Sequence, residues 1–150
     1  MRKCILSLVT LLILMGVTVC AETKEVTVKV DNVVVESPIP AQIVNGRTMI
    51  PMRSIFERIG AKVTWVESGN IIFATKGSSL ITMQLDNNIM SVQHIENDEF
   101  IKIELDAAPF AINGSTIIPV RAVAESLGCS VGWDNQTYTV NISTASKIGE

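Results

Sequence analysis

"NGRTMIPMR" (Asn45–Arg53) returns, little changed, as "NGSTIIPVR" (Asn113–Arg121). The two starts lie 68 positions apart, and the likeness runs on to Trp65 and Trp133. Of the 21 aligned pairs 10 are identical, among them Asn45 with Asn113, Pro51 with Pro119, Arg53 with Arg121 and Gly60 with Gly128. Most other pairs keep their chemical class, as Ile59 and Leu127 do. Likeness at a fixed offset predicts an internal duplication, with units at about 25–75 and 79–143.

Each part of the motif has a local physical meaning. Asn-Gly tolerates the two positive φ angles of a type I′ turn, so it predicts a tight hairpin between "QIV" and "TMI", and again between "FAI" and "TII". Pro51 and Pro119 predict a strand end and the first position of a helix, where a missing N–H costs nothing. Met52, Ile55, Phe56 and Ile59 then recur at helical spacing. Val120, Val123, Ala124 and Leu127 repeat it, so each helix buries one face. Gly60 and Gly128 stand where a left-handed C-terminal cap belongs. "KVTW" and "SVGW" resume as strands. Outside the motif, "EVTVKV", "NVVVES", "NIIFAT", "LITMQL", "IMSVQHI", "FIKIEL" and "YTVNIS" are short and rich in β-branched or apolar residues. The predicted class is α+β, mostly antiparallel sheet with two short helices. Units of about 65 residues bury too little alone, which favours halves that share a sheet over separate lobes.

The chain opens with Arg2 and Lys3, an apolar run from Cys4 to Val19, and then Cys20-Ala21. That order predicts a secretory signal peptide over residues 1–21, cleaved after Ala21. The apolar run falls short of the roughly 20 residues of a comfortable membrane span, and an uncleaved N-terminal anchor stays open. Acylation of Cys20 is a further option that Val19 suits poorly. Export would remove two cations and no anion, moving the formal charge from −3 to −5. An acidic exported domain has no electrostatic footprint for nucleic acid or anionic lipid. With Cys4 and Cys20 removed, Cys129 stands alone, which leaves no intramolecular disulfide. It aligns with Ala61, so a small buried side chain is expected there. Residues 144–150 read as a frayed tail.

Arg53 and Arg121 are the odd members of the motif. Each falls in the first turn of its helix, where the macrodipole disfavours a cation by about 0.3 kcal/mol or more. Each also precedes a glutamate by four residues, the weaker order for such a pair. One reading is a clamp on an anionic ligand. The other, favoured because a five-donor fork suits one shape made twice, ties the helix start to backbone carbonyls or a strand carboxylate. Trp65 and Trp133 pose the same choice between a sugar-stacking platform and packing against the helix, with packing favoured. These four are the candidate binding residues.

At "NGRTMIPMRSIFERIGAKVTW" and "NGSTIIPVRAVAESLGCSVGWD" the chain resembles the copper amine oxidase N-terminal-like domain family, also called stalk domains. The shared signature is a turn and strand of the form NGRT-hydrophobic-VPLR, a helix ending E-x-LG-A, and V-x-W followed by Asp or Asn. With the strands between, the resemblance covers nearly all of residues 25–143. Ser115 departs from it where an arginine follows Asn-Gly, and Val66 where an acidic residue follows the tryptophan. The resemblance implies an antiparallel sheet curled around a helix, in a module of secreted or wall-associated proteins of Gram-positive-type bacteria. It implies no amine oxidase activity, since copper and the quinone of those enzymes belong to a different, larger catalytic domain.

The side-chain inventory points the same way. Type 2 copper chemistry needs several converging imidazoles, and the chain has His94 alone, with Tyr138 its one tyrosine. His94 reads as a solvent-facing strand or turn residue, and no cofactor or metal is expected. Glu96–Glu99 reads as a solvated acidic turn, with weak Ca²⁺ binding as the minor alternative. Gly-rich phosphate loops, H-E-x-x-H and G-x-S-x-G are absent. Glu104, Asp106, Glu125 and Asp134 leave a carboxylate pair as the remaining enzymatic option. The expectation is a secreted, non-catalytic cell-envelope module that binds wall polymer or another envelope protein. A structural spacer or self-assembling surface unit is the alternative, and a hydrolase the remote one.

Overall fold

Asn45 (φ 51°) and Gly46 (φ 71°) join β3 (Gln42–Val44) to β4 (Arg47–Pro51) through the left-handed turn their chemistry favours. Asn113 (φ 49°) and Gly114 (φ 75°) do the same between β10 (Phe110–Ile112) and β11 (Ser115–Pro119). The computed structural model describes residues 25–144. The signal segment expected at 1–21 lies outside the described residues, as does the tail from 145. Thr144 itself is tied down rather than frayed: its N–H (2.9 Å) and hydroxyl (2.6 Å) both donate to the Asp31 carboxylate.

Helices α1 (Met52–Ile59) and α2 (Val120–Ser126) start one residue after the prolines expected at their first position, which stand outside them. Strand pairing holds them there, with Pro51 opposite Ile117 and Pro119 opposite Met49. Gly60 ends α1 at φ 74°, and the N–H groups of Gly60 and Ala61 return to Glu57 (3.4 Å) and Phe56 (2.9 Å). A residue with a Cβ would be strained in that left-handed cap.

β4 and β11 run antiparallel with Ile50 opposite Ile118, so the two motifs meet at equivalent residues. They are the centre of a four-stranded sheet ordered β10-β11-β4-β3. After α1 comes a five-stranded antiparallel meander: β5 (Lys62–Val66), β6 (Ile71–Lys76), β7 (Ser79–Gln84), β8 (Ile89–His94) and β9 (Glu99–Glu104). The third sheet joins β12 (Ser130–Asp134) and β13 (Thr139–Ser143) to the N-terminal β1 (Thr27–Val30) and β2 (Val33–Val34). Within it β1 lies parallel to β13, which strands from opposite ends of a chain can do because no tight turn joins them.

One hydrophobic cluster unites these parts. Ile55, Phe56 and Ile59 of α1 and Val123 and Ala124 of α2 pack with Ile72, Ile81, Met83 and Met90 of the meander and Val28, Val140 and Ile142 of the third sheet. Lys76 of β6 links the meander to the end of α2. Its Nζ donates to the Leu127 carbonyl (3.4 Å), where a cation suits the end of α2, and lies 3.5 Å from Cys129 Sγ. Cys129 is buried and unpaired, as its alignment with Ala61 implied.

Candidate functional site

Arg53 and Arg121 occupy the second position of α1 and α2, and both are exposed. Neither makes the internal tie expected from the sequence. Among the described residues the ion pair present is Arg47 with Asp106 (2.6 Å), and no carbonyl or carboxylate accepts from Arg53 or Arg121. The cause is local: a helix start presents N–H donors rather than carbonyl acceptors, so a guanidinium there turns outward.

Trp65 lies opposite buried Ile72, and Trp133 opposite buried Val140. Both tryptophans thus lie on the strand face that these core residues share. Yet β5 and β12 are edge strands, and the indoles stay 38% and 37% exposed. The expectation of core packing is not met: both indoles are exposed, and neither belongs to the hydrophobic cluster or to the side chains packed against it.

Arginine and tryptophan of each motif line one groove, closed by the hairpin of the other motif. The first, about 590 Å³, sets Arg53, Trp65 and Asn70 against Gly114, Ser115 and Thr116. The second, about 380 Å³, sets Arg121, Trp133 and Tyr138 against Gly46, Arg47 and Thr48. Arg53 and Arg121 therefore belong to different grooves. In the second, Trp133 meets Tyr138 edge-to-face, with ring centroids 5.4 Å apart at 69°. Sequence reading missed Tyr138 and Arg47 as groove residues. The signal was available, because the offset that aligns the motifs also aligns Tyr138 with Asn70 and Arg47 with Ser115.

A third and larger groove, about 640 Å³, runs beside β9 and includes Ile101, Ile103, Ser79, His94, Glu104, Asp106 and Glu125, with Arg47 and Arg121 at its border. Three of the four candidate carboxylates thus border one space. Asp106 is held by Arg47, and Glu104 accepts from Asn88 (3.1 Å). No group of three or more His, Cys, Asp or Glu able to hold a metal occurs among the described residues. Asp134 does other work: it accepts from Gln136 N–H (2.8 Å) and from the Thr137 hydroxyl (2.8 Å), capping a turn. The Thr137 hydroxyl, followed by the Gln136 N–H, holds its pKa below the ordinary aspartate value. His94 is half-buried rather than solvent-facing, its Nδ1 3.1 Å from Ser79 Oγ. The two residues are register partners on β7 and β8, so this is a cross-strand pair. Among the described residues no carboxylate hydrogen-bonds the imidazole to orient it as a base.

No helix among the described residues is long and apolar enough to cross a membrane. No curated protein and no solved structure matches the chain. The family model of the copper amine oxidase N-terminal domain matches residues 29–142, about three quarters of the sequence, a span that holds both motifs and both smaller grooves. The chain belongs to the copper amine oxidase N-terminal domain family, and that domain is a non-catalytic one.

Proposed function

We propose that this chain is an exported, non-catalytic cell-envelope module that binds wall polymer, and that its two halves arose by duplication. The observation that carries the reading is an exposed indole and a guanidinium without an internal partner in one groove, twice over. An indole receives the apolar face of a sugar ring, and a guanidinium fork receives a carboxylate or phosphate through paired hydrogen bonds. Together they suit a charged glycan. Export is supported by the signal-like order of residues 1–21. Duplication is supported by the aligned motifs and by the pairing of Ile50 with Ile118.

A second reading, an assembly or spacer unit, draws on β9. This edge strand leaves Phe100 58% and Ile101 38% exposed on its two faces, a surface open to further strand pairing. The experiment that separates them is retention of residues 22–150 on isolated peptidoglycan, with and without its attached wall polymers. Retention that disappears when both Trp65→Ala and Trp133→Ala are introduced, with circular dichroism unchanged, is the expected result. Failure to be retained on either preparation would reject wall binding, and concentration-dependent association in sedimentation would then support assembly.

A further inference from the structure

The two smaller grooves differ at positions that matter for a charged ligand. Ser115 in the first is replaced by Arg47 in the second, and Asn70 by Tyr138. Asn70 and Tyr138 hold the same left-handed backbone, each at φ 52°. Asparagine visits that region readily, whereas a bulky side chain is strained in it. A tyrosine kept in such a conformation marks a contact that the turn alone does not need. Trp133 supplies one such contact: the tyrosine ring packs edge-to-face on an indole that its edge strand leaves exposed. Trp65 has asparagine in the corresponding place.

Charge differs in the same direction. Arg121 has no internal partner, and Arg47 reaches Asp106 through Nε, with its side chain 49% exposed. The remaining donors of the Arg47 fork are free to meet a second acceptor. The second groove thus offers two guanidiniums and two aromatic rings, the first groove one of each.

We infer that the second groove is the principal ligand site and that it takes an anionic sugar unit of a polymer, its ring against Trp133 and its anionic group at Arg121 and Arg47. The first groove, with one guanidinium and one aromatic ring, is in this assignment the weaker site. The inference rests on the reading of the chain as a wall-polymer binder. A uronate and a glycosyl phosphodiester present similar oxygen pairs to a guanidinium fork, so the shared chemistry is the negative charge on a sugar.

The test is affinity electrophoresis of residues 22–150 through a polyuronate, a phosphodiester-linked glycopolymer and an uncharged chitin-type glycan. Retardation by at least one anionic polymer, weakened by salt and absent with the uncharged glycan, is expected. Arg121→Gln and Tyr138→Asn should each weaken it by about tenfold or more, the equivalent of about 1.4 kcal/mol. Arg53→Gln and Trp65→Ala, in the weaker groove, should each weaken it by about threefold at most, and exposed Arg58→Gln, outside both grooves, should leave it unchanged. Tyr138→Asn is compatible with the turn, since Asn70 already occupies the same conformation, so its effect separates binding from folding. Equal losses from the two grooves would overturn the site assignment and leave wall binding standing. Preference for the uncharged glycan would overturn the ligand class. No retardation by any of them, joined to no retention on peptidoglycan, would reject both inferences.

Discussion

Tyr138 shows how a single residue separates stability from binding. Its left-handed backbone costs roughly 1–2 kcal/mol, while an edge-to-face ring pair contributes about 0.5–1.5 kcal/mol. The two nearly cancel, so Tyr138→Asn should change unfolding stability by less than about 1 kcal/mol, read from the urea midpoint. A large loss would show that the tyrosine serves the fold instead. Two aspartates contribute to the acid limb. Thr144, through its hydroxyl and then its N–H, holds Asp31 below the ordinary value of 3.8, and Thr137 and Gln136 do so for Asp134. A carboxylate whose folded pKa is depressed contributes stability that is present above the unfolded pKa and lost as pH falls through the folded one. The thermal midpoint should therefore decline below pH 3.8, and Asp31→Asn with Asp134→Asn should flatten that decline. An unchanged slope in the double variant would remove both caps from the account.

At the scale of elements, the helices were the most legible part. The apolar spacing of Met52 to Ile59 and of Val120 to Leu127 names the faces that are buried, with Phe56 only 1% exposed. Phe56→Ala should cost about 3–5 kcal/mol in chemical denaturation, because it removes a large side chain from a core that cannot fully collapse. Exposed Arg58→Ala should stay within about 0.5 kcal/mol. The strands were also legible from their β-branched runs and Asn, Asp and Gly turns. Pro51 and Pro119 were placed one residue too far along, since a strand partner from another part of the chain claims them. Helix-start arginines were misread for a similar reason. Local sequence shows an unfavourable cation at a dipole but not whether an acceptor lies across from it.

At the largest scale, the decisive fact is that both helices and all three sheets of the described residues contribute to one cluster. Small halves with a common core should not unfold separately. Differential scanning calorimetry of residues 22–150 should show one transition, with calorimetric and van't Hoff enthalpies equal. Two resolved transitions would mean that the halves are independent after all. Pairing of β1 with β13 joins the first and last described strands, and the reach of Lys76 to Leu127 ties the meander to the end of α2.

By itself the sequence determined the turns, the strands, the helix faces, the buried place of Cys129 and the family, because each depends on residue type at short spacing or on a motif repeated at one offset. Tertiary structure decided which faces meet. It opened Trp65 and Trp133 at edge strands, left Arg53 and Arg121 without acceptors, and set each pair against the hairpin of the other motif. Those outcomes depend on which strand lies at an edge and what stands across a groove. Neither is encoded in the spacing of neighbours along the chain.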